Sequence, residues 1–236
     1  MSTAKALASK VFWAAKERED AARRALCAGR RAALIARLRA DAACKRSTLD
    51  VEIAPDAYLG PGIRVLLDPG THSRLRIGPG AIVDGRCRIN LRGGSVTLGE
   101  CSVLREGVVL NVSGTLDIGE QSLLSYGTVV HCADAVRIGP LVGIAEYVTI
   151  VDSAHFLTEP DARHIDNVRT KPVSIGRNTW LCPKATVTSG VSVGDYCVVG
   201  AGVTLTRDVP DGHSVGQGQV AQRRRSLPWD SLQVTA

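Results

Sequence analysis

The sequence predicts a mainly β chain, a parallel β-helix of short strands and tight corners preceded by an α-helical extension. Two periodicities and the composition predict it. An aliphatic residue followed by Gly recurs at Leu59-Gly60, Ile77-Gly78, Leu98-Gly99, Ile118-Gly119, Ile138-Gly139, Ile175-Gly176 and Val193-Gly194, at intervals of 18, 21, 20, 20, 37 and 18 residues. Within those intervals an aliphatic residue returns every six positions, as in Ile138, Ile144 and Ile150, or Ile175, Leu181, Val187, Val193, Val199 and Leu205. The chain is 44% apolar but only 4% aromatic, so its core must be built from Val, Ile, Leu and Ala.

A six-residue period suits neither an amphipathic helix, which repeats every three to four residues, nor an amphipathic hairpin, which repeats every two. It requires one short strand and one corner per repeat, so three repeats close a triangular coil of about 18 residues. Intervals of 20 and 21 add two or three residues at a corner. About seven coils stacked at the interstrand spacing give a prism about 33 Å tall. The ends of such a stack need caps, for which the N-terminal extension and the tail after Pro210 are the candidates.

The extension spans residues 1–48. Its first 46 residues are rich in Ala, Leu, Arg and Lys, contain no Pro and carry a net charge of +8, against −2 for the rest of the chain. Leu7, Val11, Ala14 and Ala15, and then Leu34, Ile35 and Leu38, follow helical spacing, with Gly29 as an expected break between two helices. The thin apolar stripe favours packing on the chain's own body or a sister subunit over a peripheral seat on an anionic membrane. Because the positive charge is confined to this segment, a nucleic-acid-binding body is not expected. The seven cysteines form no CxxC pair and are odd in number. Reduced thiols packed as small apolar residues, in a cytoplasmic protein, are the expectation.

The β-helix is expected over 49–210, with a cap or tail over 211–236. The interval of 37 residues is one coil plus an insertion, placed at 152–172. The insertion begins beside His155 and also holds His164, which could reach a neighbouring subunit.

The segments IGPLVGIAEYVTIVDSAHF and KPVSIGRNTWLCPKATVTSGVSVGDYCVVGAGVTLTRDVP resemble the hexapeptide-repeat acyltransferases, a left-handed β-helix family. The likeness is greatest to its galactoside, maltose, capsule-polysaccharide and xenobiotic O-acetyltransferases. It covers roughly Leu59–Pro210 and leaves out residues 1–46. It implies acetyl-CoA or another acyl-CoA as co-substrate, no metal, a hydroxyl acceptor on a sugar or polysaccharide precursor, and a homotrimer with active sites between prisms. On this likeness His155 is the general base: an imidazole can take the acceptor's proton and return it to the leaving thiolate. Taken alone, His155 would read as a surface-loop histidine; its position at the root of the one long insertion favours catalysis. The likeness puts Trp180 against the pantetheine arm and Arg207 on a CoA phosphate, with Ala201, Gly202 and Thr206 in the same coils. Asp152 is a candidate to orient His155 or touch the acceptor, while Asn111 and His131 share one corner and are candidates to flank it.

Several positions depart from the pattern. Ser125, a candidate to touch the acceptor, stands where an acceptor-binding Asn is usual, and Ala133 where an Asp is, so a galactoside or maltose substrate is not inherited. Pro183 occupies a position that often supplies an oxyanion N–H and has none to give. Gly216-Gln217-Gly218-Gln219 replaces the usual Gly-x-Pro-Ala, which leaves the roles of Arg223 to Arg225 open. Two other function classes stay open: a non-catalytic β-helix scaffold docking on a membrane or partner, and a metal enzyme like the γ-class carbonic anhydrases.

Overall fold

The computed structural model describes residues 26–156 and 167–218 and the backbone of 221–223; Leu7, Val11, Ala14, Ala15, His164, Arg224 and Arg225 lie outside the described residues. Apart from Ser153–His155, Val168–Thr170 and Ala221–Arg223, the described strands form three parallel sheets that are the faces of a triangular prism. Face A runs from Thr48–Ile53 through His72–Ile77, Ser95–Leu98, Thr115–Ile118, Ala135–Ile138 and Val173–Ile175 to Ser192–Val193. Face B starts at Tyr58–Leu59 and includes Leu123–Leu124, Gly143–Ile144, Trp180–Leu181 and Val198–Val199. Face C starts at Arg64–Leu67 and ends at Thr204–Leu205. The chain visits A, B and C in turn for seven coils, a parallel β-solenoid consistent with a left-handed β-helix.

The period has a direct cause in the packing. Each aliphatic residue of the repeat points into the prism: Leu75, Leu104, Leu110, Leu116, Leu124 and Ile144 are all fully buried. The described core holds no aromatic ring, because three converging faces leave room only for branched aliphatic chains. The Gly that follows sits where the corner rests on the next coil. A Cβ at Gly119 would stand 2.5 Å from the carbonyl carbon of Gly139, so any side chain there would push the coils apart. Cys87, Cys132 and Cys197 are small interior residues of this core. All seven cysteines are free thiols, with Cys44 and Cys101 exposed.

The described part of the helix spans 26–44 and closes the first coil. Leu34, Leu38 and Ala42 join the core. The helix runs straight through Gly29, so the expected break is absent; a Cβ there would meet nothing within 4 Å, and no contact forces the chain to turn. Its cations serve the open edge of the stack. The Arg30 guanidinium donates to the Leu59 carbonyl at 3.1 Å, Arg37 to Ile63 at 3.0 Å, Arg31 to Ala54 at 3.3 Å and the Lys45 ammonium to Leu67 at 2.8 Å. Among the described residues no earlier coil bonds these carbonyls, so these four cations answer the edge-strand problem.

At the other end, His213–Val215 adds to face B beside Val198–Val199 and pairs antiparallel with Ala221–Arg223. The coil stack therefore takes in three residues that the sequence assigned to the tail beginning at 211. Among the described residues no helix is long and apolar enough to cross a membrane.

Candidate active site

The insertion leaves the prism at the corner between faces C and A, as a two-stranded arm. Ser153–His155 pairs antiparallel with Val168–Thr170, with His155 opposite Val168. Phe156 N–H donates to the Asn167 carbonyl at 3.2 Å, and the Arg169 guanidinium lies 4.1 Å over the Phe156 ring. His155 is exposed on this ribbon.

Asp152 holds the arm's root. It is fully buried, and its carboxylate oxygens accept the backbone N–H groups of Ala133 at 2.7 Å and Asp134 at 2.8 Å, one coil back. Its own N–H donates to the His131 carbonyl. Its carbonyl accepts Lys171 N–H at 2.8 Å and the Ser189 hydroxyl at 2.9 Å. Outgoing strand, returning strand and two neighbouring coils thus meet at one residue. Asp152 is thereby sealed away from any acceptor, and both carboxylate oxygens are taken by backbone groups rather than held for orienting His155; the sequence-based expectation for it is corrected. Ser125 is likewise withdrawn: it is 6% exposed and donates its hydroxyl to Glu146 Oε1 at 2.9 Å.

Asn111 and His131 are one coil apart as expected, but they lie in one row on the outside of the face C strands rather than at a corner. They are register partners, with Asn111 Nδ2 and His131 Nδ1 3.5 Å apart, and Asn90 extends the row by donating to Asn111 Oδ1 at 2.6 Å. Trp180 belongs to face B. Its indole lies on Gly143, where a Cβ would come within 2.3 Å of Cε3, so Gly143 makes the seat for the ring. Ala201 and Gly202 are exposed at the corner between faces B and C. Thr206 and Arg207 are exposed where face C turns to face A, and Arg207 has no ion pair among the described residues. His155 and Trp180 therefore stand on different sides of one prism.

Pro183 is exposed at its corner, and the following N–H, of Lys184, is donated to the Glu146 carbonyl at 2.9 Å. Neither residue offers a free backbone donor there. Among the described residues no cluster of three or more His, Cys, Asp or Glu side chains could hold a metal ion.

The sequence reading missed an apolar row on the outside of face B. Tyr58, Ile82, Val103, Leu123, Gly143, Trp180 and Val198 follow one another in register. Tyr126, Tyr147 and Leu141, all exposed, flank it at the corners. Its signal was present: in each coil the residue before the inward aliphatic of the face B strand is apolar or Gly.

The family model for the bacterial transferase hexapeptide (six repeats) matches residues 172–207. A probable acetyltransferase of Mycobacterium tuberculosis is 27% identical over 177 residues, 74% of this chain and 52% of its own length. The galactoside O-acetyltransferase of Escherichia coli is 35% identical over 75 residues, 32% of this chain and 36% of its own length. The aligned chain thus spans about half or less of these relatives. The solved structure of a hexapeptide-repeat acetyltransferase of Vibrio cholerae with acetyl coenzyme A superposes with a TM-score of 0.50 at 25% identity, covering 55% of this chain and 70% of that one. Repeat, coil geometry and these likenesses agree: this chain carries the bacterial hexapeptide-transferase repeat on a β-helix of the kind found in acetyltransferases.

Proposed function

We propose that this protein is an acyl-CoA-dependent O-acyltransferase that moves an acetyl or other short acyl group to a hydroxyl of a sugar or polysaccharide precursor. The observation that carries the reading is the arm: the one long interruption of the repeat presents His155 on a ribbon whose root Asp152 pins to two coils. His155 takes the acceptor's hydroxyl proton as the oxygen attacks the thioester carbonyl. It then gives that proton to the departing CoA sulfur, which leaves an ester and free thiol. Acyl-CoA crosses from face B over the corner of faces B and C toward the far edge of face C, with Trp180 against its pantetheine arm, Ala201, Gly202 and Thr206 beside it, and Arg207 on a phosphate. The oxyanion donor comes from a group other than Pro183 or Lys184.

A homotrimer completes the site. His155 and Trp180 face different ways on one prism, so a shared cleft needs a second chain, and the apolar row of face B supplies the surface to bury. Seven free cysteines support a cytoplasmic location. The helix cations spent on first-coil carbonyls weigh against a membrane-facing role for that stretch.

The test is release of free CoA thiol from acetyl-CoA by wild type and His155→Ala across a panel of sugar acceptors. The expected loss for the variant is about 10²–10⁴-fold. Equal activity in the variant, or no CoA binding by the wild type, sinks the assignment. Pro183 favours one second reading, a scaffold that keeps the fold without catalysis, which predicts the latter result.

A further inference from the structure

Charge on the lower coils is unevenly neutralised. Arg74 pairs with Asp50, Arg76 with Glu52, Arg86 with Glu106 and Arg105 with Asp84, so in the first three coils the arginines of face A and of the corner between faces B and C each have an acid. Arg64 and Arg88 stand one above the other on face C, are exposed, and have no ion pair among the described residues. Arg92, exposed at the next corner, has none either.

Higher on the same face, three consecutive coils carry neutral hydrogen-bonding groups in one row, between an apolar residue below and another above. Leu66, Asn90, Asn111, His131 and Val151 are successive register partners, and Asp152 follows Val151 at the root of the arm. From the coil of Arg64 to the coil of His131 is three interstrand steps, about 14 Å. The acids at the two borders of this face lie at corners, off the row: Asp84 and Glu106 at the corner with face B, where Arg105 and Arg86 pair with them, and Asp68 and Asp134 at the corner with face A.

We infer that face C is a binding track for an extended anionic polysaccharide, with Arg64 and Arg88 holding its carboxylates and Asn111 and His131, braced by the Asn90 amide, reading its hydroxyls on the way to the arm. Two unpaired guanidiniums in line are forks for carboxylates. Amide and imidazole groups both donate and accept, as hydroxyls require. Polar groups spaced one coil apart over three coils match a ligand that repeats with every sugar. Leu66 is the only large exposed apolar side chain on the described part of this face, so it lacks the stacking rings of a single-strand nucleic-acid site and the apolar wedge of a membrane-seated surface. That the bound chain is the acyl acceptor rests on the proposed acyltransferase activity; the binding does not.

The experiment is calorimetric titration of the full-length protein, without acyl-CoA, with oligogalacturonate and with maltooligosaccharide of equal length at low salt. Oligogalacturonate should bind, and the neutral chain should bind about tenfold more weakly or less. Arg64→Gln with Arg88→Gln should weaken oligogalacturonate binding by about tenfold or more while its thermal melt stays that of wild type. Arg74→Gln with Arg76→Gln removes the same charge from face A and should leave binding unchanged. Equal affinity for the neutral chain, an unchanged Arg64/Arg88 variant, or equal loss in the face A control overturns the inference. So does single-stranded DNA or a phosphatidylserine vesicle held as tightly through the same two arginines. Oligogalacturonate binding through Arg64 and Arg88 without release of CoA thiol on any acceptor keeps the track and rejects the acyltransferase. Thiol release on neutral acceptors without polyanion binding does the reverse.

Discussion

Asp152→Ala is the sharpest test of how the arm is held. The substitution removes both acceptors for the N–H groups of Ala133 and Asp134 at a fully buried site. Each orphaned buried N–H costs about 1–3 kcal/mol, or about 2–6 kcal/mol for the pair. Removing a buried carboxylate, whose desolvation is itself unfavourable, offsets part of that. A net destabilisation of about 3 kcal/mol is expected. The backbone bonds of residue 152 to Lys171 and Ser189 do not depend on its side chain, so the arm should loosen at its inner contact without detaching. Asp152→Asn keeps one acceptor and turns an amide N–H toward a backbone N–H, so about half the loss should remain. Urea unfolding measures the change, with amide exchange at Ala133 and Asp134 as the local reporter. A loss under about 1 kcal/mol for Asp152→Ala, or unchanged exchange at those amides, would show that the carboxylate does not hold this corner.

Other expectations follow from the same geometry. Gly143→Ala places a methyl where the Trp180 indole now lies; it should shift Trp180 fluorescence and weaken acyl-CoA binding while changing stability by less than about 1 kcal/mol, and an unmoved emission maximum would refute the seat. Arg30→Met with Arg37→Met exposes the Leu59 and Ile63 carbonyls of the first coil; about 1–3 kcal/mol of stability should go, with aggregation through the uncovered edge seen by light scattering. Burial pushes the Cys87 thiol up to about 11 and the Cys132 thiol, beside Asp152, up to about 12. These thiols stay neutral in the fold while the unfolded chain ionises them, so their contribution is intact below about pH 9 and is lost as pH rises toward those values. Cys87→Ala with Cys132→Ala should flatten that part of the stability profile, and at pH 8 an alkylating reagent should label Cys44 and Cys101 well ahead of either.

The coil was legible because each inward residue must be an aliphatic that fits a narrow triangle, and each corner Gly must clear the coil above it. Those demands are local and recur, so they print a period on the chain. The arm was legible as the point where that period lapses, and His155 as the histidine at its start. Asp152 and Ser125 were misjudged for one reason. Proximity in sequence to His155, or alignment with an acceptor residue, says nothing of which way a corner side chain turns, and both turn toward neighbouring coils. The Gly29 break was misjudged because helix propensity penalises Gly but does not end a helix whose next turns bury Leu34 and Leu38.

By itself the sequence determined the repeat, the number of coils, the aliphatic core and the place where the arm departs, because each follows from residue size at a fixed spacing. Tertiary structure alone decided what depends on residues twenty or more positions apart. The helix cations were a charge count until they met the carbonyls of the first coil. The apolar row of face B and the unpaired arginines of face C were scattered letters until stacking placed them one coil apart. A period records what each coil requires of itself; what each face offers to a partner exists only once the coils are stacked.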